Sequence, residues 1–262
     1  MPRTIAISNE KGGVAKTTTA LSLGAALAEL GNRVLLIDLD AQANLTLAVG
    51  LEPGEAEKTS SDVMLDNLPL LTVRRKTEIE NLDLIPSSSR IETSEQFLPV
   101  RTNYTTILQR AIRSTPNMPY EYVVLDCPPA LGAITRNALA AADLLIIPTQ
   151  AEYFSAYALR NMMSLIRRTR EVDNPALAYR ILVTMLDRRN RTHRNIHEQL
   201  RTTFGAGVFS TVIELDTKLR ESPIAGIPIT HYKSGARGST QYRVLAQELM
   251  EYAKETENKQ AA

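Results

Sequence analysis

The sequence has 262 residues, of which 44% are apolar and 23% are charged, and this is the composition of an ordinary soluble globular protein. Its net charge of +1 provides no global attraction to nucleic acid, so any such binding would need a local basic patch. The single cysteine, Cys127, excludes an internal disulfide and any multi-cysteine metal or cluster site within one chain.

The length lies near the upper end of what one hydrophobic core usually holds. No stretch rich in Gly, Ser or Pro divides it, so we predict one domain over 1–262, with a polar tail, 255–262, that frays. We find no basic-then-apolar leader at the N-terminus and no apolar run of about 18 residues. We therefore expect a cytoplasmic protein.

Apolar β-branched runs alternate with helical patterns along the chain. This alternation predicts an α/β fold, a doubly wound and mostly parallel sheet with helices on both faces. Helical patterns cover 17–30, about 94–114, about 153–172 and about 239–256, and Gly31 stands where a helix-ending glycine belongs. Residues 52–80 are predicted to be an irregular surface excursion with a short helix. The predicted strands are 3–8, 33–38, 82–86, 121–126, 143–148, 179–184 and 208–213.

A glycine loop joins the first predicted strand to the first predicted helix. Residues 9–18 read Asn-Glu-Lys-Gly-Gly-Val-Ala-Lys-Thr-Thr. The glycines let backbone N–H groups close around phosphate at the start of a helix. Lys16 would neutralise the β- and γ-phosphates of ATP, and the Thr17 hydroxyl would bind Mg²⁺. The predicted nucleotide contacts in the loop are Gly12, Gly13, Val14, Ala15, Lys16, Thr17 and Thr18.

The loop departs from the common pattern G-x-x-x-x-G-K-[ST] in three places. Ala15 replaces the glycine before Lys16, Glu10 stands at the first glycine position, and an additional lysine, Lys11, lies at the loop entrance. The sequence fits K-G-G-x-x-K-T instead. A simple glycine turn with solvated lysines is the alternative, but the strand before the loop and the helix after it favour phosphate binding.

Aspartates follow two of the predicted strands. Strand 33–38 leads into Asp38-Leu39-Asp40, and strand 121–126 ends at Asp126 before Cys127-Pro128-Pro129. The carboxyl ends of parallel strands border the crevice in which ligands bind. A lone aspartate there is usually a cap or a turn residue, but two beside a phosphate loop indicate nucleotide chemistry with Mg²⁺.

These motifs together resemble the ParA/MinD ATPases and their deviant phosphate loop. In that family the additional lysine, here Lys11, crosses a dimer interface to the partner's nucleotide. The segments at 38–44 and 126–129 resemble the family motifs D-L-D-P-Q-G-N and D-x-P-P. The resemblance implies that Asp40 orients or activates the attacking water, and that Thr17, Asp40 and Asp126 serve Mg²⁺, Asp126 through water.

Three small residues depart from that family pattern. Ala15 and Ala43 stand where the family usually has glycine, and Ala41 stands where it has proline. We expect ordinary backbone geometry at Ala15, because alanine disfavours a positive φ. Residues 131–139 and 148–152 resemble the second switch region and the next strand end of the family. The resemblance covers most of the chain, with the poorest match at 52–80.

A basic segment lies between residues 160 and 201. It contains ten arginines and four acidic residues, so its charge is 10 − 4 = +6 and that of the remainder is 1 − 6 = −5. Arginine suits phosphate, and the absence of a helix-turn-helix pattern predicts contacts with the DNA backbone only. The alternative is a solvated helix face. The arginines are at 160, 167, 168, 170, 180, 188, 189, 191, 194 and 201.

The family resemblance favours DNA over a merely solvated face. ParA proteins of the short, Soj-like type bind DNA nonspecifically as ATP-bound dimers, and segments 184–189 and 212–223 resemble theirs. The DNA contacts that we predict are Arg188, Arg189, Arg191, Lys218 and Arg220.

The resemblance thus implies a weakly active ATP hydrolase that forms a homodimer with ATP, binds DNA and answers to a ParB-like activator. It would be nucleoid-associated and would position a chromosome, a plasmid or a protein organelle.

Three alternatives differ in class. A MinD-like membrane switch needs a basic amphipathic C-terminal helix, whereas this tail is acidic and polar. A nitrogenase-iron-protein-like reductase needs two cysteines per subunit. A metabolic ligase of the same superfamily stays open.

Overall fold

The structure of the chain, a computed structural model, describes residues 1–53, 58–153 and 155–261, with side chains up to residue 256. Within these residues seven strands form one sheet in the order β3-β4-β2-β5-β1-β6-β7. All neighbours are parallel except β3, which pairs antiparallel with β4 at one edge. The strands are β1 Arg3–Ile7, β2 Val34–Asp38, β3 Arg75–Lys76, β4 Leu82–Ile85, β5 Tyr122–Asp126, β6 Leu144–Gln150 and β7 Ala178–Thr184.

Helices cover both faces of the sheet, so the predicted fold class is confirmed. None of the described helices is long and apolar enough to cross a membrane. They are α1 Lys16–Glu29, α2 Asn44–Ala48, α3 Ser60–Asp66, α4 Leu70–Val73, α5 Ile91–Phe97, α6 Ile107–Arg113, α7 Ala133–Ala141, α8 Ser155–Val172, α9 Arg191–Phe204, α10 Lys218–Glu221, α11 Ile229–Tyr232 and α12 Arg237–Ala261.

Alternate side chains of the central strands supply two separate cores. Ile5 and Ile7 of β1 face a cluster shared with α1 and α12, whereas Ala6 faces a cluster shared with α6, α7 and α8. This alternation follows from the two-residue period of a strand. Because both faces are covered, the central strands read as continuous apolar runs, and that is how the sequence revealed them.

Two predicted elements are wrong. The amphipathic stretch 94–114 is broken into α5, 3-10 turns at Leu98–Val100 and Tyr104–Thr106, and α6, because Pro99 follows α5 and Asn103 takes a φ of 55°. Segment 208–213 runs beside β7 but forms isolated bridges only, Ile181 with Val208 and Leu186 with Glu214, and no continuous strand.

The excursion predicted at 52–80 holds two short helices, α3 and α4, and the edge strand β3, where one short helix was expected. Residues 54–57 of this excursion lie outside the described residues. At the other end α12 continues in its backbone to Ala261, past the predicted end at 256 and through most of the tail predicted to fray. Ala262 is not among the described residues.

One buried hydrogen bond anchors the helix that follows the glycine loop. The hydroxyls of Thr19 on α1 and Tyr242 on α12 lie 3.0 Å apart, and both side chains are fully buried. Leu21 and Leu27 of α1 pack in the same apolar cluster as Leu245 of α12. The start of α1 is therefore held in a fixed position relative to the carboxyl ends of β1, β2 and β5.

Candidate nucleotide-binding site

The glycine loop connects β1 to α1 through two left-handed residues. Gly13 has a φ of 71°, and Ala15, the residue before α1, has φ 69° and ψ 36°. The expectation of ordinary geometry at Ala15 is therefore wrong. The loop needs a left-handed residue there to turn into the helix, and the cost of placing alanine in that conformation is about 1–2 kcal/mol.

Lys16 lies at the floor of the loop. Its side chain is almost buried, with 8% of the residue exposed, and its Nζ donates to the backbone carbonyl of Lys11 at 3.1 Å. Burial lowers the pKa of the Lys16 ammonium, and the charges of Asp126 and Asp40 oppose this shift. The loop thus carries a buried ammonium that a polyphosphate could neutralise.

The side chain of Lys11 extends from the loop entrance towards the end of β6. Its Nζ donates to Gln150 Oε1 at 3.0 Å and forms an ion pair with Glu152 Oε2 at 2.6 Å. Gln150 in turn donates to the carbonyl of Gly13 at 3.3 Å. The end of β6 therefore holds Lys11 at the mouth of the loop, where nearly half of the Glu152 side chain is exposed.

Asp126 ends β5 directly beside Asp38 at the end of β2, since the two residues are register partners. Asp126 is 1% exposed, and neither of its carboxylate oxygens has a partner in full hydrogen-bond geometry among the described residues, although the Thr17 hydroxyl is near enough to favour the charged form. Burial raises the pKa of Asp126 well above its usual range, the neighbouring Asp38 charge adds to the rise, and the Thr17 hydroxyl opposes it. An unsatisfied buried carboxylate of this kind fits Mg²⁺, which prefers oxygen ligands.

Asp38, buried beside Asp126 at the end of β2, is not among the predicted site residues. Its Oδ2 accepts hydrogen bonds from the Thr46 amide at 2.9 Å and the Thr46 hydroxyl at 2.8 Å, and its Oδ1 accepts from the Asp40 amide at 3.1 Å. Burial raises the pKa of Asp38 to about 6, although these hydrogen bonds oppose the rise. The signal was present in the sequence as the first aspartate of Asp38-Leu39-Asp40.

Asp40 follows Asp38 by two residues and, unlike Asp38, lines the cavity over the loop. It accepts a hydrogen bond from the Gln42 amide at 3.0 Å, and Lys16 and Thr17 line the same cavity. Ala43, like Ala15, has a positive φ, here 50°. Both positions at which alanine replaces the family's usual glycine are therefore left-handed.

The cavity over the loop has a volume of about 630 Å³. It brings together most of the predicted nucleotide contacts with Asp40, whereas Lys11, Val14 and Asp126 lie outside its lining. Its apolar walls come from other segments, including Leu47, Met185 and Ile224. The residues of the loop and its neighbourhood that line it are Gly12, Gly13, Ala15, Lys16, Thr17, Thr18, Asp40, Gln42 and Asn44.

The predicted DNA contacts do not form one uniform set. Arg188 pairs with Glu214 at 2.5 Å, Arg189 with Asp187 at 3.0 Å, and Lys218 with Glu221 at 2.6 Å. Glu214 also binds Arg237, at 2.9 Å, and its side chain is only 12% exposed. Exposed Arg191 at the start of α9 has no ion pair among the described residues. Arg220 is exposed and lines the cavity over the loop.

The chain is similar to known partition proteins over nearly its whole length. A family model described as "AAA domain" matches residues 2–179. The chain is 37% identical to the sporulation initiation inhibitor protein Soj of Bacillus subtilis, over 95% of this chain and 98% of the relative. It is also 37% identical to the chromosome partitioning protein ParA of Caulobacter vibrioides, over 99% and 98%.

Among solved structures, cobyrinic acid a,c-diamide synthase from Mycobacterium smegmatis with bound ADP and magnesium superposes with a TM-score of 0.85. It is 30% identical and covers 97% of this chain and 96% of its own. The glycine loop, the paired strand-end aspartates and the near full-length relatives lead to one family. The chain belongs to the ParA/Soj family of P-loop ATPases.

Proposed function

We propose that this chain is an ATP hydrolase that dimerises with ATP, binds DNA without sequence specificity, and segregates or positions a chromosome, a plasmid or another cargo with a ParB-like activator. The observation that carries the proposal is the cavity in which the glycine loop, Lys16 and Asp40 meet. Lys11 at the loop entrance contacts Gln150 and Glu152 outside the cavity lining. The 37% identity to Soj and ParA supports the partition role.

ATP and Mg²⁺ are the proposed ligands of this cavity. Backbone N–H groups at Gly12, Gly13 and Ala15 would hold the phosphates, and Lys16 would balance their charge. A bound Mg²⁺ would supply positive charge that stabilises the negative charge developing on the phosphates during transfer. The Thr17 hydroxyl and the buried carboxylate of Asp126 are the oxygens that would hold it, the latter through water.

Asp40 is the group that would orient the attacking water and accept its proton. It is partly exposed in the cavity lining, so water reaches it. One subunit alone leaves the cavity open and places Lys11 on Gln150 and Glu152. We therefore expect weak hydrolysis until a second subunit and an activator complete the site.

Lys11 would reach the phosphates of the partner subunit in the dimer. Its ion pair with Glu152 is partly exposed, and an exposed pair is worth roughly 0–1 kcal/mol. The free-energy cost of releasing it is therefore small compared with the gain from a nucleotide phosphate. Lys11 would leave Glu152 and bind a phosphate of the partner's nucleotide. This exchange provides a structural reason for dimerisation to depend on ATP.

The proposed DNA surface lies around the start of α9. Arg188, Arg189 and Arg191 follow the end of β7 within seven residues, and all three are exposed. They would bind phosphate oxygens and not bases, so the complex would be nonspecific and would place the protein on the nucleoid in the cytoplasm. We also propose that residues 1–262 act as one domain.

A DNA-binding assay in three nucleotide states tests the proposal. A fluorescent duplex is titrated with protein in ATP, in ADP and without nucleotide, and dimerisation is followed by light scattering. We expect the wild type to bind and dimerise only with ATP. Lys11→Ala should lose both, whereas Arg189→Ala should still dimerise but lose DNA affinity. Arg113→Ala, which removes an exposed arginine from α6, is the matched control and should behave as wild type.

Equal DNA binding with and without ATP would refute the switch. Pelleting with anionic liposomes in ATP, without DNA, would favour a MinD-like membrane protein. The 30% identity to a cobyrinic acid a,c-diamide synthase keeps a metabolic ligase as a second candidate. Such a ligase would hydrolyse ATP only with an organic acid acceptor, and DNA would leave its turnover unchanged.

A further inference from the structure

The short helix α10 presents one unpartnered cation to the nucleotide cavity. Lys218 pairs with Glu221 at 2.6 Å, and Glu221 also accepts a hydrogen bond from the Tyr232 hydroxyl at 3.0 Å. Leu219 packs against the apolar cluster of α1 and α12, close to Gly238. The guanidinium of Arg220 alone has no ion pair or hydrogen bond among the described residues.

The backbone around Arg220 is fixed by several contacts. The Lys218 amide donates to Asp216 Oδ1, and the Gly238 amide donates to Asp216 Oδ2, each at 3.0 Å. The Arg220 amide donates to the Thr217 carbonyl at 2.9 Å. Asp216 thereby ties α10 to the start of α12, so the backbone position of Arg220 at the cavity is set by the fold.

Arg220 lines the same 630 Å³ cavity as Lys16, Thr17 and Asp40. Among the described residues of that lining Lys16 and Arg220 are the two cations, and they come from different elements. Lys16 already donates to the Lys11 carbonyl, whereas Arg220 has all its donors available. An arginine fork binds phosphate oxygens in a bidentate manner and is drawn to a polyphosphate that carries several negative charges.

We infer that Arg220 is a nucleotide-binding residue, a second cationic contact to the polyphosphate, and not the DNA contact that its sequence position had suggested. The inference rests on the proposed function, since it requires a nucleotide in the cavity. It also gives Arg220 a different role from Lys218, two residues away, because the Lys218 ammonium is held by Glu221 on the same short helix.

Calorimetric titration of Mg-ADP into the purified protein tests the inference in the absence of DNA. Arg220→Met, which keeps the aliphatic stem, should weaken ADP binding about tenfold, the effect of losing one charge-assisted contact at a partly solvated site. Arg220→Lys should retain most of the affinity. The difference between wild type and Arg220→Met should shrink in high salt, because the contact is electrostatic. Arg113→Met is the charge-matched control and should bind as wild type does.

DNA affinity is then measured for Arg220→Met and Arg220→Lys at saturating ATP, where we expect wild-type values. Unchanged ADP affinity in Arg220→Met, with loss of DNA binding, would overturn the inference and restore Arg220 to the DNA surface. An equal loss of ADP affinity in Arg220→Lys and Arg220→Met would overturn the charge contact. If the wild type itself fails to bind Mg-ADP, the proposed function fails, and this outcome is distinct from the other two.

Discussion

Two alanines in the candidate site adopt a backbone conformation that glycine favours. Ala15 and Ala43 have φ values of 69° and 50°, and both adjoin the nucleotide cavity. The family resemblance implied glycine at these positions, but it did not reveal the φ values. The φ values are set by closure of the loop between β1 and α1 and of the turn after β2. This closure overrides the preference of alanine for a negative φ.

We predict that Ala15→Gly and Ala43→Gly each stabilise the protein. Relief of about 1–2 kcal/mol of left-handed strain is partly offset by the greater chain entropy of glycine in the unfolded state, which leaves about 0.5–1 kcal/mol. Urea denaturation at equilibrium measures the change. Ala156→Gly, at an exposed position of α8, is the control and should lose about 0.5–1 kcal/mol. Destabilisation by all three would contradict the assignment of strain.

Asp126 is predicted to lower stability in the protein without nucleotide. Its pKa lies above the ordinary value of 3.8 because it is buried beside Asp38, so the folded chain retains a proton that the unfolded chain releases. The free energy of unfolding therefore falls as pH rises above about 4 and through the raised pKa. Asp126→Asn removes this pH-dependent loss of stability. The melting temperature of the variant should therefore exceed that of the wild type at pH 8 and lie close to it at pH 4.

Thermal melts across that pH range, without nucleotide, measure the difference. A gain of roughly 1 kcal/mol would raise the melting temperature by about 2–4 °C in a chain of this size. The same variant should lose the Mg²⁺ dependence of nucleotide binding, because the carboxylate that fits the cation is gone. A lower melting temperature at pH 8 would show that Asp126 has a stabilising partner that our account lacks.

At the scale of elements, α7 depends on a carboxylate from α5. Glu95 accepts hydrogen bonds from the Ala133 amide at 2.6 Å and the Ile134 amide at 2.9 Å, so it satisfies the free N–H groups at the start of that helix. Gly132 leaves room for it, since a Cβ there would lie 1.6 Å from Glu95 Oε1. The glycine is required for space and not for its φ, which is −87°.

A double-mutant cycle tests this contact. Glu95→Ala should cost about 1–2 kcal/mol because it removes a charged cap. Gly132→Ala should cost a similar amount in the wild type, but little in the Glu95→Ala background, where the clash is absent. The four proteins are compared by urea denaturation, and a coupling free energy near zero would contradict the packing described above.

The elements that the sequence predicted well are those whose pattern was set by burial. The central strands are apolar on both faces, and α1 and α8 have long helical patterns, so their positions were close to those observed. Segment 94–114 has an amphipathic pattern too, but Pro99 breaks the helix while both pieces still bury apolar residues. Segment 208–213 is buried beside β7, and burial alone did not determine whether a continuous ladder forms.

The residues of the candidate site likewise divide into those that a local sequence pattern predicted and those whose position depends on long-range packing. Lys16, Thr17 and Asp40 could be assigned because strand ends meet loops at one edge of a parallel sheet. The cavity position of Arg220 depends on how the segment after β7 folds back over that edge, a long-range arrangement that no local pattern reports. The contact of Lys11 with Gln150 and Glu152 likewise joins residues about 140 positions apart.

For the whole molecule, the proposed DNA complex should depend steeply on salt. Each phosphate contact contributes a slope of about −0.9 to the dependence of log K on log salt, because counterions are released. Arg191→Ala removes one contact per subunit, so the slope of an ATP-bound dimer should become less steep by roughly two. Fluorescence anisotropy between about 50 and 200 mM KCl measures it. An unchanged slope would place Arg191 outside the DNA surface, and Arg113→Ala serves as the control.

Glu214 has a kinetic consequence for that complex. Its carboxylate is already bound to Arg188 and Arg237, so in the proposed complex a DNA phosphate would compete with it for these guanidinium groups. When the phosphate left, the carboxylate would be beside the arginines to take its place, which would shorten the residence time on DNA without weakening the fold. A protein that must repeatedly leave one stretch of DNA and rebind another would benefit from carrying its own competitor.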